Sequence, residues 1–324
     1  NLTKSHKTMD FTDIKTGSDD YQRRLDKILK KIFKNHSLSE IYSFIRKGLV
    51  KVNGKKSKPE YKTESSDVLN IASFLLEKNQ NSEKNENFIL PYKIIFQTPD
   101  LIFIEKPYDK KVHGEKSSID SDIKKFFALT KDSSSISFTP GPLHRLDKKT
   151  TGIITFSWSL KGAKWFSKNI SNHTIQKSYI AVIQGKLKSE EIWEDFINQD
   201  EKLKTEHFYT VQISKQKISD KFKKTVTHVI PLEHKKVFSN DITIVKFFIQ
   251  TGRTHQIRCQ SAFHGFPLLG DTAYGGKKIF SEREFFLHAE KLIFPKENPL
   301  NLPEELSSSY KKPLSDFLSG VKFS

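Results

Sequence analysis

The chain has 324 residues, enough for two domains or one large domain with an appendage. With 55 Lys and Arg against 38 Asp and Glu, its formal charge of +17 favours a polyanionic partner, although a lysine-rich soluble surface would show the same excess. The single cysteine, Cys259, excludes a disulfide or cysteine-rich zinc site within one chain, and no apolar run of about 20 residues is present to span a bilayer.

Residues 1 to 20 are polar, with neither apolar periodicity nor the apolar core of a signal peptide, so a mobile tail and a cytoplasmic protein are expected. From Tyr21 the pattern turns helical. Leu25, Ile28, Leu29, Ile32 and Phe33 recur at three and four residues, with lysines and Arg23 on the remaining surface. Ser37 or Ser39 can cap a second helix carrying Ile41, Phe44 and Ile45, and Gly48 supplies its stop. Leu49-Val50-Lys51-Val52 then alternates as a strand and turns at Asn53-Gly54, a hairpin signal. Between Tyr21 and Lys62 stand 13 Lys or Arg and 3 Asp or Glu, so +10 of the charge sits on this small module. Such clustering is the footprint of nucleic-acid binding.

Helix, helix, glycine and a Val-x-Val-Asn-Gly turn resemble the S-four domain, an RNA-binding module, with Arg24-Leu25-Asp26 and Gly48 to Gly54 carrying the match. The resemblance implies RNA contacts from Arg24, Arg46, Lys47, Lys51 and Lys55. Two positions depart from it: Leu38 stands where an arginine usually opens the second helix, and Ser66 where a glycine usually precedes Asp67.

Glu77 to Asn87 is rich in Asn, Glu and Lys and reads as a flexible linker. It divides the chain into a tail (1–20), the basic module (21–76), the linker (77–87) and a second domain (88–324). In that domain Ile94-Ile95-Phe96 and Leu101 to Ile104 flank a Thr98-Pro99-Asp100 turn, Leu160 to Ile170 reads as a helix, and Lys177 to Gly185 alternates as a half-buried strand. Lys202 to Lys224 is polar and lysine-rich, and the tail around Lys311-Lys312-Pro313-Leu314 is too generic to read.

Two stretches carry most of the information. His144-Arg145-Leu146-Asp147-Lys148-Lys149-Thr150-Thr151-Gly152 leads into the apolar Ile153 to Phe156, and Thr251-Gly252-Arg253-Thr254-His255-Gln256-Ile257-Arg258 follows the strand-like Ile242 to Ile249. Both can therefore sit at sheet ends, where sites are usually built. Taken alone, Asp147 could be a helix cap, a salt-bridge partner or a nucleophile. A carboxylate nucleophile must be ionised, and Arg253 or Arg258 could supply the cation that favours this form if the two stretches meet.

The pair of motifs resembles the RluA family of pseudouridine synthases, whose signatures are HRLDxxTSG and GRxHQ(I/L)R; Thr151 replaces the usual serine. Lys106-Pro107 with Val112-His113-Gly114, the strand bearing Lys177 and Tyr179, Pro267 to Gly276 and Leu287-His288-Ala289 resemble further landmarks of that family, with Glu105 where asparagine is usual. The resemblance implies an α+β catalytic domain on a mixed, mainly antiparallel sheet with a central cleft, and isomerisation of uridine in RNA to its carbon-linked isomer. Asp147 matches the catalytic carboxylate, Arg258 its partner, and Tyr179 the ring against the target base, with its hydroxyl a candidate to take the proton on carbon-5. Arg145 would fill the gap left by the flipped nucleotide, and Arg253 would contact RNA. His144 and His255 are expected to bond loop backbone and hold the motifs in shape. The reaction needs no cofactor or metal, and the chain carries neither a dinucleotide fingerprint nor a P-loop. The implied partner is large-subunit ribosomal RNA or its precursor, bound by a monomer away from membranes. A synthase acting on transfer RNA, or a non-catalytic RNA-binding or assembly factor, remains as an alternative.

Overall fold

The computed structural model describes residues 9–77, 88–130, 136–204, 209–237, 240–278 and 284–319. The chain divides into two compact units, the first holding residues 1–89, 124–140 and 159–161 and the second the rest.

The first unit comprises β1 (Phe11–Lys15), α1 (Leu25–Ile32), α2 (Leu38–Arg46), β2 (Val50–Val52), β3 (Val68–Ala72) and α3 (Ser73–Glu77). Its antiparallel sheet has the order β1-β3-β2. The apolar face of α1 is fully buried at Leu25, Ile28 and Leu29, joined by Phe33 just beyond its end and by Ile41 and Ile45 of α2. Ser37 caps α2 reciprocally with Glu40: its hydroxyl accepts from the Glu40 N–H, and its own N–H donates 2.7 Å to the Glu40 carboxylate. At the other end Gly48, with φ 73°, lets the N–H groups of Gly48 and Leu49 turn back to the carbonyls of Ile45 and Phe44. This is the bonding that closes a helix through a left-handed glycine.

Three expectations are corrected here. Residues 11 to 20 are not a mobile tail: β1 pairs along β3 from Phe11 opposite Ala72 to Lys15 opposite Val68, and Ser18–Asp20 forms a helical turn. The Asn53-Gly54 turn forms, with φ 50° and 75° and reciprocal bonds between Val52 and Lys55, but the hairpin stops there. The partner of β2 is β3, because Val50 and Val52 must bury with Leu69 and Ile71, which a two-residue turn does not reach. A single cut at the linker also fails to describe the packing. The buried Asp20 carboxylate accepts from the N–H groups of Ile136 and Ser137, so residues 124–140 belong to the first unit. The linker residues 78–87 lie outside those described. Ser66 does adopt φ 77°, the region glycine favours, at the turn where glycine was expected.

The second unit is built on one sheet of ten strands: β4 (Ile94–Gln97), β5 (Leu101–Lys106), β6 (Thr151–Ser157), β7 (Gln176–Gln184), β8 (Glu191–Lys204), β9 (Tyr209–Ser214), β10 (Phe222–Val237), β11 (Asn240–Ile249), β12 (Leu287–Ile293) and β13 (Glu305–Ser307). The order is β4-β5-β6-β12-β7-β11-β10-β8-β9, with β13 beside β12. Every pairing is antiparallel except β12 on β6, so the mixed, mainly antiparallel sheet is as expected. The Lys202–Lys224 stretch is strand where it is described, as the end of β8, β9 and the start of β10. The helices are α4 (Ile119–Thr130), which begins in this unit, α5 (Leu160–Ser171), α6 (Gln256–Phe263) and α7 (Lys311–Ser319).

Strand periodicity decides what each face does. Ile180 and Val182 of β7 and Ile242 and Ile244 of β11 bury against Leu314 and Phe317 of α7. Lys177, Tyr179 and Ala181 therefore project from the opposite face. The tail that is unreadable in sequence is thus the helix that covers one side of the sheet.

Candidate active site

The two motifs meet because β12 lies between β6 and β7. Across these strands Gly152 is opposite Ala289, and Ala289 is opposite Tyr179. A Cβ at Gly152, which has φ 103°, would stand 2.2 Å from the Ala289 carbonyl oxygen. Glycine is required for β6 to approach β12, and this sets the distance from the Asp147 loop to Tyr179.

The loop itself is held by Lys106, at the end of β5. Its ammonium is fully buried and donates to the carbonyls of Lys148 at 2.8 Å, Thr150 at 2.7 Å and Pro107 at 2.9 Å, using all three of its N–H bonds. Burial lowers its pKa to about 7, against the upward pull of Asp147 and Asp109. His144 fixes the loop from the other side: its Nε2 accepts from the Thr155 N–H at 3.1 Å, and burial drops its pKa to about 3, so it is neutral. Thr151, in the usual serine position, keeps a hydroxyl bond of 2.8 Å with His288 Nδ1.

The second motif closes over Asp147 from the start of α6. His255 precedes α6 in a left-handed conformation. Its Nδ1 meets the Tyr274 hydroxyl at 2.9 Å, while its Nε2 stands 3.9 Å from the Asp147 carboxylate. The expected Arg258–Asp147 pair is also modified. Arg258 gives its main bonds to Asp271, from Nε at 2.7 Å and Nη2 at 2.8 Å, and only its Nη1 faces Asp147, at 3.7 Å. Burial opposes the charge on Arg258, but bonding to Asp271 outweighs it and raises the pKa. The guanidinium lies over the rings of Tyr274 and Phe285, centroids 5.0 and 4.6 Å away. Arg258 is thus a cation fixed in place before it meets Asp147.

Tyr179 is 7% exposed and lines a cavity of about 60 Å³ with Asp147, Thr150, Arg253 and Arg258. Burial and the charge of Asp147 push its phenol above the ordinary pKa, so it stays protonated. Next to this lies an open cavity of about 510 Å³ that shares Arg145, Asp147, His255 and Arg258 and is edged by Lys111, His113, Lys148 and Lys149. Lys148 and Lys149 are both tied to Asp109, at 3.3 and 2.8 Å, whereas Arg145 is exposed at the cavity wall. The site is therefore a partly exposed carboxylate facing two nitrogen donors, beside an aromatic ring, at the floor of a basic cavity.

All five second-domain residues singled out in sequence, Arg145, Asp147, Tyr179, Arg253 and Arg258, line these cavities. In the first unit Arg46, Lys47 and Lys55 are exposed, Lys51 lies half-buried over the Phe11 ring, and Arg24 is bonded to Asp26 at 2.8 Å. Cys259 is buried, and burial raises its thiol pKa, which makes it inert. Sequence reasoning passed over Lys106, Asp271 and Tyr274, although all three lie in quoted landmarks. An acidic residue after Leu269-Gly270 is the signal that could have been paired with Arg258. Among the described residues no cluster of three metal-binding side chains occurs, and no helix is long and apolar enough to cross a membrane.

Comparison with known proteins accords with this geometry. The model of a family described as RNA pseudouridylate synthase matches residues 100–263, and that of the S4 (S-four) domain matches residues 23–69. The chain is 30% identical over 295 residues to ribosomal large subunit pseudouridine synthase C of Haemophilus influenzae, covering 87% of this chain and 86% of that one. It is also 30% identical over 258 residues to ribosomal large subunit pseudouridine synthase D of Vibrio cholerae, covering 79% and 74%. Among solved structures, human RNA pseudouridylate synthase domain containing 4 shares the fold at TM-score 0.56 and 21% identity, over 71% of this chain and 93% of that one. Human RNA pseudouridylate synthase domain containing 1 does so at 0.52 and 21%, over 74% and 97%. With a family match spanning half of its length and relatives aligned along most of it, the chain belongs to the RNA pseudouridylate synthase family.

Proposed function

We propose that the protein isomerises specific uridines of large-subunit ribosomal RNA to pseudouridine, with Asp147 as the acting carboxylate. The observation that carries this reading is the Asp147 carboxylate held 3.7 Å from Arg258 in a cavity walled by Tyr179. The choice of ribosomal RNA rests on the two relatives at 30% identity, both named for the large ribosomal subunit.

The glycosidic bond breaks, the uracil turns over, carbon-5 joins the anomeric carbon, and the proton on carbon-5 is lost to solvent while N1 takes one up, so the product is an isomer. An ionised carboxylate can either attack the sugar or abstract a ribose proton, and both routes need the charge that Arg258 and His255 face. Tyr179 supplies a ring for the base; as a protonated phenol it is a platform rather than a proton acceptor. Stacking of this kind is worth roughly 1–3 kcal/mol per base. Arg145, exposed beside Asp147, fills the gap left by the flipped nucleotide, whose extrusion costs a few kcal/mol. Arg46, Lys47, Lys51 and Lys55 contribute phosphate contacts from the basic module. The protein acts as a monomer in the cytoplasm, without a cofactor.

The test is to map pseudouridine across total RNA from cells with and without the gene. Loss of pseudouridine at one or a few large-subunit positions is the expected result. Loss confined to transfer RNA would overturn the substrate, and an unchanged map would overturn the activity.

A further inference from the structure

His255 stands between Asp147 and a phenol, and which of its ring nitrogens carries hydrogen decides what it offers the carboxylate. It lines both cavities of the site, with Nε2 3.9 Å from Asp147 Oδ2. Its Nδ1 lies 2.9 Å from the hydroxyl of Tyr274, on the helical turn Thr272–Tyr274. That hydroxyl also accepts from the Val211 N–H of β9 at 3.1 Å. It is thus set between two buried residues, His255 at 7% and Val211 at 5% exposure. Among the described residues these two are its hydrogen-bond partners, and burial raises the phenol's pKa, so it keeps its hydrogen.

A backbone N–H can only donate, so the acceptor for the phenol hydrogen is His255 Nδ1. With Nδ1 accepting, the imidazole carries its own hydrogen on Nε2, because the bond made at one ring nitrogen sets the other. A hydrogen on Nδ1, in the other tautomer or in an imidazolium, would leave the enclosed phenol hydrogen without a protein acceptor. The ring is also fixed in place. His255 has φ 54° and ψ 20°, a conformation uncommon outside glycine, and its ring meets that of Tyr274 edge-on at 5.7 Å. Arg258 approaches the same carboxylate oxygen, with Nη1 3.7 Å from Asp147 Oδ2. Both donors therefore face Oδ2, and among the described residues none bonds Oδ1.

We propose that Tyr274 is a positioning residue that fixes His255 as an Nε2–H donor, which with Arg258 claims Oδ2 of Asp147 and leaves Oδ1 to act on the substrate. Both contacts exceed hydrogen-bond length, and contacts of this kind tighten as a substrate closes the site. The assignment makes His255 a donor to the anion and excludes its Nε2 as the base for the proton on carbon-5. The inference rests on reading Asp147 as the acting carboxylate.

The experiment records long-range proton–nitrogen NMR spectra of the full chain, isotope-labelled in its histidine nitrogens. His255 is identified as the ring whose signals His255→Gln removes. The parent protein is expected to carry hydrogen on Nε2 and none on Nδ1; hydrogen on Nδ1, or on both nitrogens, at neutral pH would overturn the assignment. Tyr274→Phe keeps the ring beside His255 and Arg258 but removes the phenol hydrogen, so it should shift the Nδ1 signal and let both tautomers appear. It should slow single turnover by about tenfold, while RNA affinity, set mainly by phosphates, changes less than about twofold. His255→Leu should slow turnover by roughly 10²-fold, and His255→Gln, whose amide N–H reaches about the position of Nε2, should retain more of it. Loss of the Val211 bond lowers the stability of Tyr274→Phe whatever His255 does, so thermal unfolding serves only as the folding control. Nitrogen signals and a rate unchanged in Tyr274→Phe would overturn the positioning role. The tautomer is read without turnover, so failure of the Asp147 reading and failure of this one give different results.

Discussion

Arg258 grips Asp271 through two bonds of 2.7 and 2.8 Å and presents only its remaining Nη1 to Asp147, 3.7 Å away. The main bonding partner of the arginine is thus one aspartate, while its remaining nitrogen faces another. Asp271, 1% exposed, fixes the guanidinium so that an ionised Asp147 meets a cation already oriented.

Asp271→Ala is therefore expected to destabilise the protein by about 3–5 kcal/mol, since it leaves a buried guanidinium without its main acceptor. It should also slow single turnover by roughly 10²-fold, through misplacement of a group beside the reacting atoms. Urea unfolding and single-turnover kinetics measure the two effects. A slowed rate without loss of stability would show that Asp271 does more than position Arg258.

Asp147→Asn preserves shape but removes the anion. Turnover should disappear while RNA affinity changes less than about threefold, because phosphate contacts dominate binding. Filter binding and pseudouridine detection on the same RNA check both parts. Normal turnover by the Asn variant would falsify the catalytic assignment.

Lys106 offers a pH test in which stability and activity move oppositely. Its folded pKa of about 7 lies below its ordinary 10.5 because burial disfavours the ammonium, with Asp147 and Asp109 raising it and Lys148 adding a little to the lowering. Between those values the unfolded chain holds the extra proton, so this group's contribution to stability grows as pH rises from 7 towards 10.5 and is lost on falling back through 7. Deprotonation meanwhile removes one of the three N–H bonds that hold the Lys148, Thr150 and Pro107 carbonyls. Turnover should decline above pH 7, and Lys106→Met should be slow at every pH and lack that limb. Rate profiles of the two proteins decide the point.

The basic module is best tested without truncation, because Asp20 holds the backbone of Ile136 and Ser137 and deletion would uncover those residues. Replacing the exposed Arg46, Lys47 and Lys55 by Gln removes charge and leaves the buried face of α2 intact. If all three reach phosphates, the slope of log affinity against log salt should flatten by roughly 0.7 to 0.9 per contact. A salt titration giving the parent slope would leave that charge as an ordinary solvated surface.

The sequence by itself determined what is local or tied to a motif. A serine cap for α2, the Gly48 stop and the apolar face of α1 all follow from residues a few positions apart, whereas β7, expected to be half-buried, is buried at every position from Lys177 to Ile183 because both faces of the sheet are covered. Asp147, Tyr179 and Arg258 were legible because their flanking motifs are specific. Tertiary structure decided the rest. The insertion of β12 between β6 and β7 brings Gly152, Ala289 and Tyr179 into line although they are far apart in the chain. The same topology gives Arg258 a main partner in Asp271 and leads the Lys106 ammonium to three carbonyls. Side-chain period says which way a strand residue points, but not which strand lies alongside it. That choice depends on the apolar surface all the strands bury together, a property of the whole sheet.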